Sequence, residues 1–171
     1  ICYSNLNVKI AATHGGITVG EDGASHQALE DISLMRSIPN MTVIVPADAE
    51  ETRQAIKFAA EFNGPVYIRI SRSNLPDIFD SNYKFDYKKA NIIKEGKDVT
   101  LITNGETLVE TIDCAKILSE KGIDAEIINV PVVKPLDNET IINSAKKTNR
   151  VITIENHSII GGLGSAVCEL L

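Results

Sequence analysis

The sequence predicts an α/β fold made of two three-layer units, each a mainly parallel sheet with helices on both faces. Three observations carry this. Short apolar, β-branched runs alternate with helical patterns in strand–helix–strand order. The same grammar occurs twice along 171 residues, on either side of a polar stretch of different character. The strand-like runs are also nearly continuous in their apolar residues, as in sheets covered on both faces.

VKIAAT (8–13) is the first buried strand. Residues 26–37 form a helical pattern: Ser25 is placed to cap it, Leu29, Ile32 and Met35 recur near the helical period, and Pro39 stops it. TVIVP (42–46) is the second strand. Asp48 caps the next helix, Glu51 three residues on completes a capping box, and Gly64 and Pro65 close it. VYIRIS (66–71) is the third strand. From Ser73 to Lys97 the chain turns polar and aromatic-spotted and lacks either period, which suits a connection crossing a surface.

A second α/β pattern follows. VTLITNG (99–105) is a strand, and residues 106–121 a helix with Leu108, Ile112, Ala115 and Leu118 on one face and Gly122 as its stop. AEIINV (125–130) is a strand, Asp137 caps a helix to about Lys147, RVITIEN (150–156) is a strand, and GGLGSAVCELL opens a last helix. The expected organisation is a first unit over 1–79, a linker over 80–97 and a second unit over 98–171. Both chain ends fall inside element-like patterns and the first residue is Ile1, so the chain reads as a piece of a longer protein.

A formal charge of −6 argues against nucleic acid or an anionic membrane as partner. No apolar run approaches the ~20 residues of a membrane span, and there is no charged-then-apolar targeting stretch. Cys2, Cys114 and Cys168 are widely spaced and odd in number, which fits a reducing, cytoplasmic compartment and gives no metal or disulfide pattern.

The densest chemistry lies in THGGITVGEDGASH (13–26), which holds two histidines, an aspartate, a glutamate and four glycines in fourteen residues. Ligands of open parallel sheets sit beyond the carboxyl ends of the strands. His14, directly after a strand, is at that edge. Asp22 can accept hydrogen bonds from sugar hydroxyls. His26, taken as the first turn of a helix, would feel the positive end of the helix dipole and stay a neutral imidazole able to move a proton. A glycine-rich turn with exposed histidines is the plain alternative. Arg72, at the end of VYIRISR, could grip a phosphate in bidentate fashion or make a surface salt bridge. Arg69, inside that strand, suits packing or an interface ion pair. In TIENHSIIGGLGSA (153–166), Gly161, Gly162 and Gly164 match a dinucleotide fingerprint poorly and suit a tight turn or a domain contact. Glu155 and His157 are structural or face a neighbour.

The stretches THGGITVGEDGASHQALEDISLMRSIPNMTVIVPAD and GPVYIRISRSNLP resemble the pyrimidine-binding domain of transketolases. GKDVTLITNGETLVETIDCAKILSEKG and VITIENHSIIGGLGSAV resemble the transketolase carboxyl-terminal domain. The resemblance implies a thiamine diphosphate-dependent enzyme that moves a two-carbon ketol unit from a ketose phosphate to an aldose phosphate. It implies that His14 lines the substrate channel near the sugar phosphate and that Asp22 binds the donor hydroxyl. It places His26 near the cofactor aminopyrimidine and the reacting end of the substrate, and gives Arg72 the substrate phosphate. His14 and His26 are thus the catalytic candidates, His26 also the cofactor contact. Thiamine diphosphate and Mg2+ would be bound mainly by a pyrophosphate domain outside these residues. The family's cofactor-activating glutamate and the aromatics that stack on the pyrimidine also lie outside them, so these residues alone are expected to be inactive. The implied partners are sugar phosphates and a chain or domain carrying the pyrophosphate half, in a homodimer or heterotetramer.

1-Deoxyxylulose-5-phosphate synthase shares the region around SHQ and IPN, but usually carries an aspartate–arginine pair where this chain has Thr13 and His14. The beta-type chain of 2-oxoacid dehydrogenases shares the fold but lacks GEDGASHQ. A noncatalytic dimerisation module is a further alternative, and the intact set of His14, Asp22, His26 and Arg72 argues against it; a nucleotide-binding domain using Gly161–Gly164 is the last.

Overall fold

The computed structural model describes residues 1–171 and contains two four-stranded sheets flanked by helices. The first half supplies β1 (Lys9–Ala12), α1 (Asp31–Ser37), β2 (Thr42–Ile44), α2 (Ala49–Glu61) and β3 (Val66–Arg69). The second half supplies β4 (Asn91–Lys94), β5 (Val99–Thr103), α3 (Thr107–Glu120), β6 (Ala125–Asn129), β7 (Val132–Lys134), α4 (Asn138–Thr148), β8 (Val151–Ile154) and α5 (Leu163–Leu170). β2, β3, β5 and β6 are buried along their whole length, as their apolar continuity predicts.

The sheet orders are β1-β3-β2-β7 and β4-β6-β5-β8. In each, three strands are parallel and one edge strand is antiparallel: β7 on β2, β4 on β6. Both antiparallel strands escape sequence reading. β4 lies inside the stretch read as a linker. β7 belongs to the second half of the chain yet completes the first sheet, so the chain crosses between sheets at Val130–Pro131. The cores cross too. Ala166 of α5 packs with Ile32, Val43 and Tyr67, and Ala47 packs with Leu101, Leu108 and Ile127.

The carboxyl edges of the two sheets face one another. Val45, just after β2, donates its N–H to Pro131 O at 2.7 Å and accepts from Gly105 N at 3.2 Å. The loops that follow β1 and β3 meet those that follow β5 and β8. The segment predicted to carry the site is therefore walled on one side by the second unit.

The helix predicted over 26–37 begins later. α1 starts at Asp31, and His26 lies in a short 3-10 turn, Ala24–His26, that follows another at Gly20–Asp22. Ser25 does not cap α1; its hydroxyl faces its own neighbour, His26 Nδ1, at 3.1 Å. The cause is the neck of the loop, where Gly15 bridges to Ala28 and Gly16 N donates to Ala28 O at 2.8 Å. Chain held in that extended bridge cannot also be helix. His26 consequently has no helix dipole acting on it, and that reason for a neutral imidazole falls away.

Glu51 shows how closely the units are joined. Asp48 caps α2 as predicted, accepting from Glu51 N at 2.8 Å. The Glu51 carboxylate does not return to Asp48. It accepts from Ala47 N at 2.7 Å, from Tyr83 Oη at 2.6 Å and, on β6, from Asn129 Nδ2 at 2.9 Å. It is fully buried. Burial pushes its carboxyl up to about 7, against the hydrogen bonds from Tyr83, Ala47 and Asn129 that favour the ionised form. Unfolded, the group titrates near about 4.3. Its contribution to stability is therefore complete below about pH 4 and lost as pH rises through 7, roughly 3–4 kcal/mol in all. The unfolding midpoint is expected to fall between pH 5 and pH 8 in thermal melts, and Glu51→Gln to flatten that part of the profile. An unchanged profile in the variant would place the pH dependence elsewhere.

Candidate functional site

Parallel β1, β2 and β3 deliver the chain to one sheet edge, and the loops that leave β1 and β3 carry the candidate residues. The β1 loop leaves and returns through the Gly15–Ala28 bridge. A compact loop with its ends tied in this way holds its tip with no more regular structure than the two short 3-10 turns. Arg69, at the end of β3, runs beneath the neck. It donates through Nε to Asp31 Oδ2 at 2.9 Å and through Nη2 to Ala28 O at 3.2 Å and Asn156 O at 2.8 Å. Tyr67 Oη donates to the same Asp31 oxygen at 2.7 Å. Arg69 thus makes a buried ion pair with Asp31 inside the first unit, and its hydrogen bond to Asn156 O is what reaches the second unit.

Of the four predicted site residues, the structure pairs two. Arg72 Nε lies 3.2 Å from Asp22 Oδ2, with both side chains exposed. Arg72 is three residues past the end of β3 rather than within the strand, yet remains at the same edge. A carboxylate and a guanidinium therefore stand side by side although they come from different loops. An exposed pair of this kind contributes roughly 0–1 kcal/mol to folding, so stability does not explain the arrangement. His14 and His26 make side-chain hydrogen bonds only to their own neighbours, Thr13 Oγ1 at 2.8 Å and Ser25 Oγ at 3.1 Å. Both rings are exposed near the loop neck. His14 holds φ +67°, a region sparsely populated for a side chain of this size.

The loop is gripped from the second unit. Asn156, after β8, accepts from Ile17 N through Oδ1 at 2.9 Å, and its Nδ2 donates to Thr18 Oγ1 at 3.0 Å and to Glu106 Oε1. Glu106, before α3, accepts from Thr18 Oγ1 at 2.5 Å and from Ser71 Oγ. Asn156 lies so close to Gly16, at φ +89°, that a Cβ there would overlap the amide. Sequence reading passed over Glu106 and Asn156. A glutamate following an Asn-Gly turn at a strand end looks like an ordinary helix start.

The glycine segment after β8 is a contact between units. Glu155 accepts from Leu163 N at 2.6 Å and Gly164 N at 2.8 Å. That carboxylate fills the helix N-terminus where a dinucleotide phosphate would sit. Gly162 packs against Glu155 and His157, and a Cβ there would overlap both. His157 is buried, its Nδ1 donating to Ser158 O at 2.7 Å and its Nε2 accepting from Ser33 N at 3.4 Å. No cluster of three His, Cys, Asp or Glu side chains is placed to hold a metal ion, and no helix is long and apolar enough to cross a membrane.

Two family models cover the chain: the transketolase pyrimidine binding domain over residues 1–77 and the transketolase C-terminal domain over residues 88–171. A putative transketolase C-terminal section from Methanocaldococcus jannaschii is 48% identical over 173 residues, covering 100% of this chain and 54% of that protein. One of the subunits of an apulose-4-phosphate transketolase from Phocaeicola vulgatus is 40% identical over 172 residues, covering 100% of this chain and 55% of that protein. Among solved structures, a split gene transketolase described as an inactive beta4 tetramer matches with a TM-score of 0.94 at 50% identity, covering 100% of this chain and 55% of that one. The chain therefore spans about half the length of these relatives. With both halves matched in order and a relative 48% identical along the whole of it, the chain belongs to the transketolase family.

Proposed function

We propose that this chain is part of a thiamine diphosphate-dependent transketolase that moves a two-carbon ketol unit from a ketose phosphate to an aldose phosphate. The observation that carries the reading is the Asp22–Arg72 pair at 3.2 Å. A carboxylate suited to sugar hydroxyls and a guanidinium suited to a phosphate are held together at the edge where parallel sheets bind ligands. In the absence of substrate they satisfy each other, and a phosphorylated sugar offers each a better partner.

In this reading Arg72 holds the phosphate and Asp22 accepts from a donor hydroxyl. His14 and His26 donate to or accept from the sugar oxygens and move protons at the reacting end. Cofactor binding fits the loop: the His26 ring is exposed and free at Nε2, and nothing lies within 4 Å of where a side chain would stand at Gly23. His26 would border the aminopyrimidine. Thiamine diphosphate, when bound, supplies the electron sink that carbon–carbon cleavage needs. The ligands for Mg2+ would come from the chain or domain that carries the pyrophosphate half, as would the remaining wall of the site. A homodimer or heterotetramer containing that half is the assembly the reading requires.

The test is a ketol-transfer assay on the full chain assembled with its pyrophosphate half. It contains thiamine diphosphate, Mg2+, xylulose 5-phosphate and ribose 5-phosphate. Formation of glyceraldehyde 3-phosphate and a seven-carbon ketose phosphate is the expected result; pyruvate consumption without ketol transfer would overturn it. In the same assay, His26→Ala and Asp22→Ala are expected to lower kcat about 100-fold, as loss of a proton-transfer or orienting group does. The thermal midpoint should stay put, because both side chains are exposed. Arg72→Ala is expected to raise KM for phosphorylated sugars at least about tenfold, the loss of a charge-assisted hydrogen bond, and to change kcat little. Unchanged kinetics in all three would remove the site assignment.

A further inference from the structure

Glu106 occupies the N-cap position of α3 but its side chain makes no capping hydrogen bond. A residue at that position ordinarily satisfies its own helix. The carboxylate points instead across the interface, is buried with 6% exposure, and takes no cationic partner. Its three donors come from three segments. Thr18, in the loop after β1, donates to Oε1 at 2.5 Å. Asn156, in the loop after β8, donates to the same oxygen. Ser71, in the loop after β3, donates to Oε2.

Two of those donors adjoin the candidate site. Thr18 lies in the chain that runs directly into the Gly20–Asp22 turn. Ser71 immediately precedes Arg72, and its Oγ accepts from Ser73 N at 3.0 Å, which shapes the turn that presents the guanidinium. Beyond Arg69, which ties the end of β3 to the loop's neck through Ala28 O, the exposed Asp22–Arg72 pair is the one direct side-chain contact between the two loops. A rigid carboxylate spanning both loops therefore sets how far apart their side chains stand once substrate separates that pair.

We infer that Glu106, braced by Asn156, is a positioning residue that fixes the spacing between the hydroxyl-binding Asp22 and the phosphate-binding Arg72. It thereby matches the site to phosphorylated over unphosphorylated ketoses. This rests on the sugar-phosphate reading of the site and adds to it a part played by the carboxyl-terminal unit. The unit acts on substrate selection without touching substrate.

The experiment compares xylulose 5-phosphate with unphosphorylated xylulose as ketol donors. It uses the full chain assembled with its pyrophosphate half and loaded with thiamine diphosphate and Mg2+. Glu106→Ala is expected to raise KM for the phosphorylated donor about tenfold, as for one charge-assisted hydrogen bond lost between a misplaced Arg72 and the phosphate, with kcat and the KM for xylulose nearly unchanged. Thr18→Val and Ser71→Ala each remove one arm of the bridge and leave the carboxylate in place. They should shift the same discrimination by less than Glu106→Ala, and they keep the test valid if Glu106→Ala does not fold. Glu106→Asp, with the charge retained, should recover part of the loss. In hydrogen exchange, the Ile17 amide should lose protection in Glu106→Ala and Asn156→Ala. Equal losses on both donors, or a fall in kcat at constant KM, would make the bridge merely structural and overturn the inference. Arg72→Ala is run beside them. If it leaves the phosphorylated donor's KM unchanged, the site reading fails; if it raises that KM and the bridge variants do not, the positioning role fails alone.

Discussion

The architecture depends on a buried guanidinium. Arg69 ends β3 and ties together α1 through Asp31, the neck of the glycine loop through Ala28 O, and the second unit through Asn156 O. A buried charge with its partner missing is strongly unfavourable, whereas one well supplied with acceptors is tolerable and sets geometry. The Arg69 side chain is 6% exposed and that of Asp31 13%, so neither can fall back on water. The close approach at Gly15 follows, because the guanidinium fills the space a side chain would need there. The loop can then be irregular at its tip and fixed at its base.

Polar contacts do a similar job elsewhere between the units. Glu51 gathers Ala47, Tyr83, Asn91 and Asn129 around one carboxylate. Glu106 gathers Thr18, Ser71 and Asn156 around another. Apolar contact between sheet edges would be indifferent to small slips, while carboxylates with several donors each accept one alignment. The interface is specified by these groups more than it is stabilised by them.

Much of this was legible. Helices α2, α3 and α4 showed themselves through caps and period, with Asp48 and Asp137 accepting the hydrogen bonds their positions predict. The buried parallel strands showed themselves through β-branched runs. Edge strands β4 and β7 did not, because β4 lies in a polar stretch, β7 is hemmed between Pro131 and Pro135, and their pairing partners lie far along the chain. Ser25 misled for a physical reason: a cap-like residue says nothing of a bridge, Gly15 to Ala28, that holds the chain extended past it. Asp22 and Arg72 were visible as chemistry, but their pairing was not. Glu106 and Asn156 were invisible as site residues, since their role exists only where the loops of two sheets meet.

The hand-over from β6 to β7 through Val130–Pro131 bears on how the chain is made. β2 is hydrogen-bonded to β7, with Val43 opposite Lys134. On the ribosome, the first sheet therefore waits with one side of β2 bare while the whole of β4, β5, α3 and β6 is synthesised. Non-local pairing of this kind is slow, and an unpaired strand is open to wrong partners in the meantime. The antiparallel strand that joins the units thus makes the amino-terminal sheet a late product of synthesis, finished by residues that emerge long after its own.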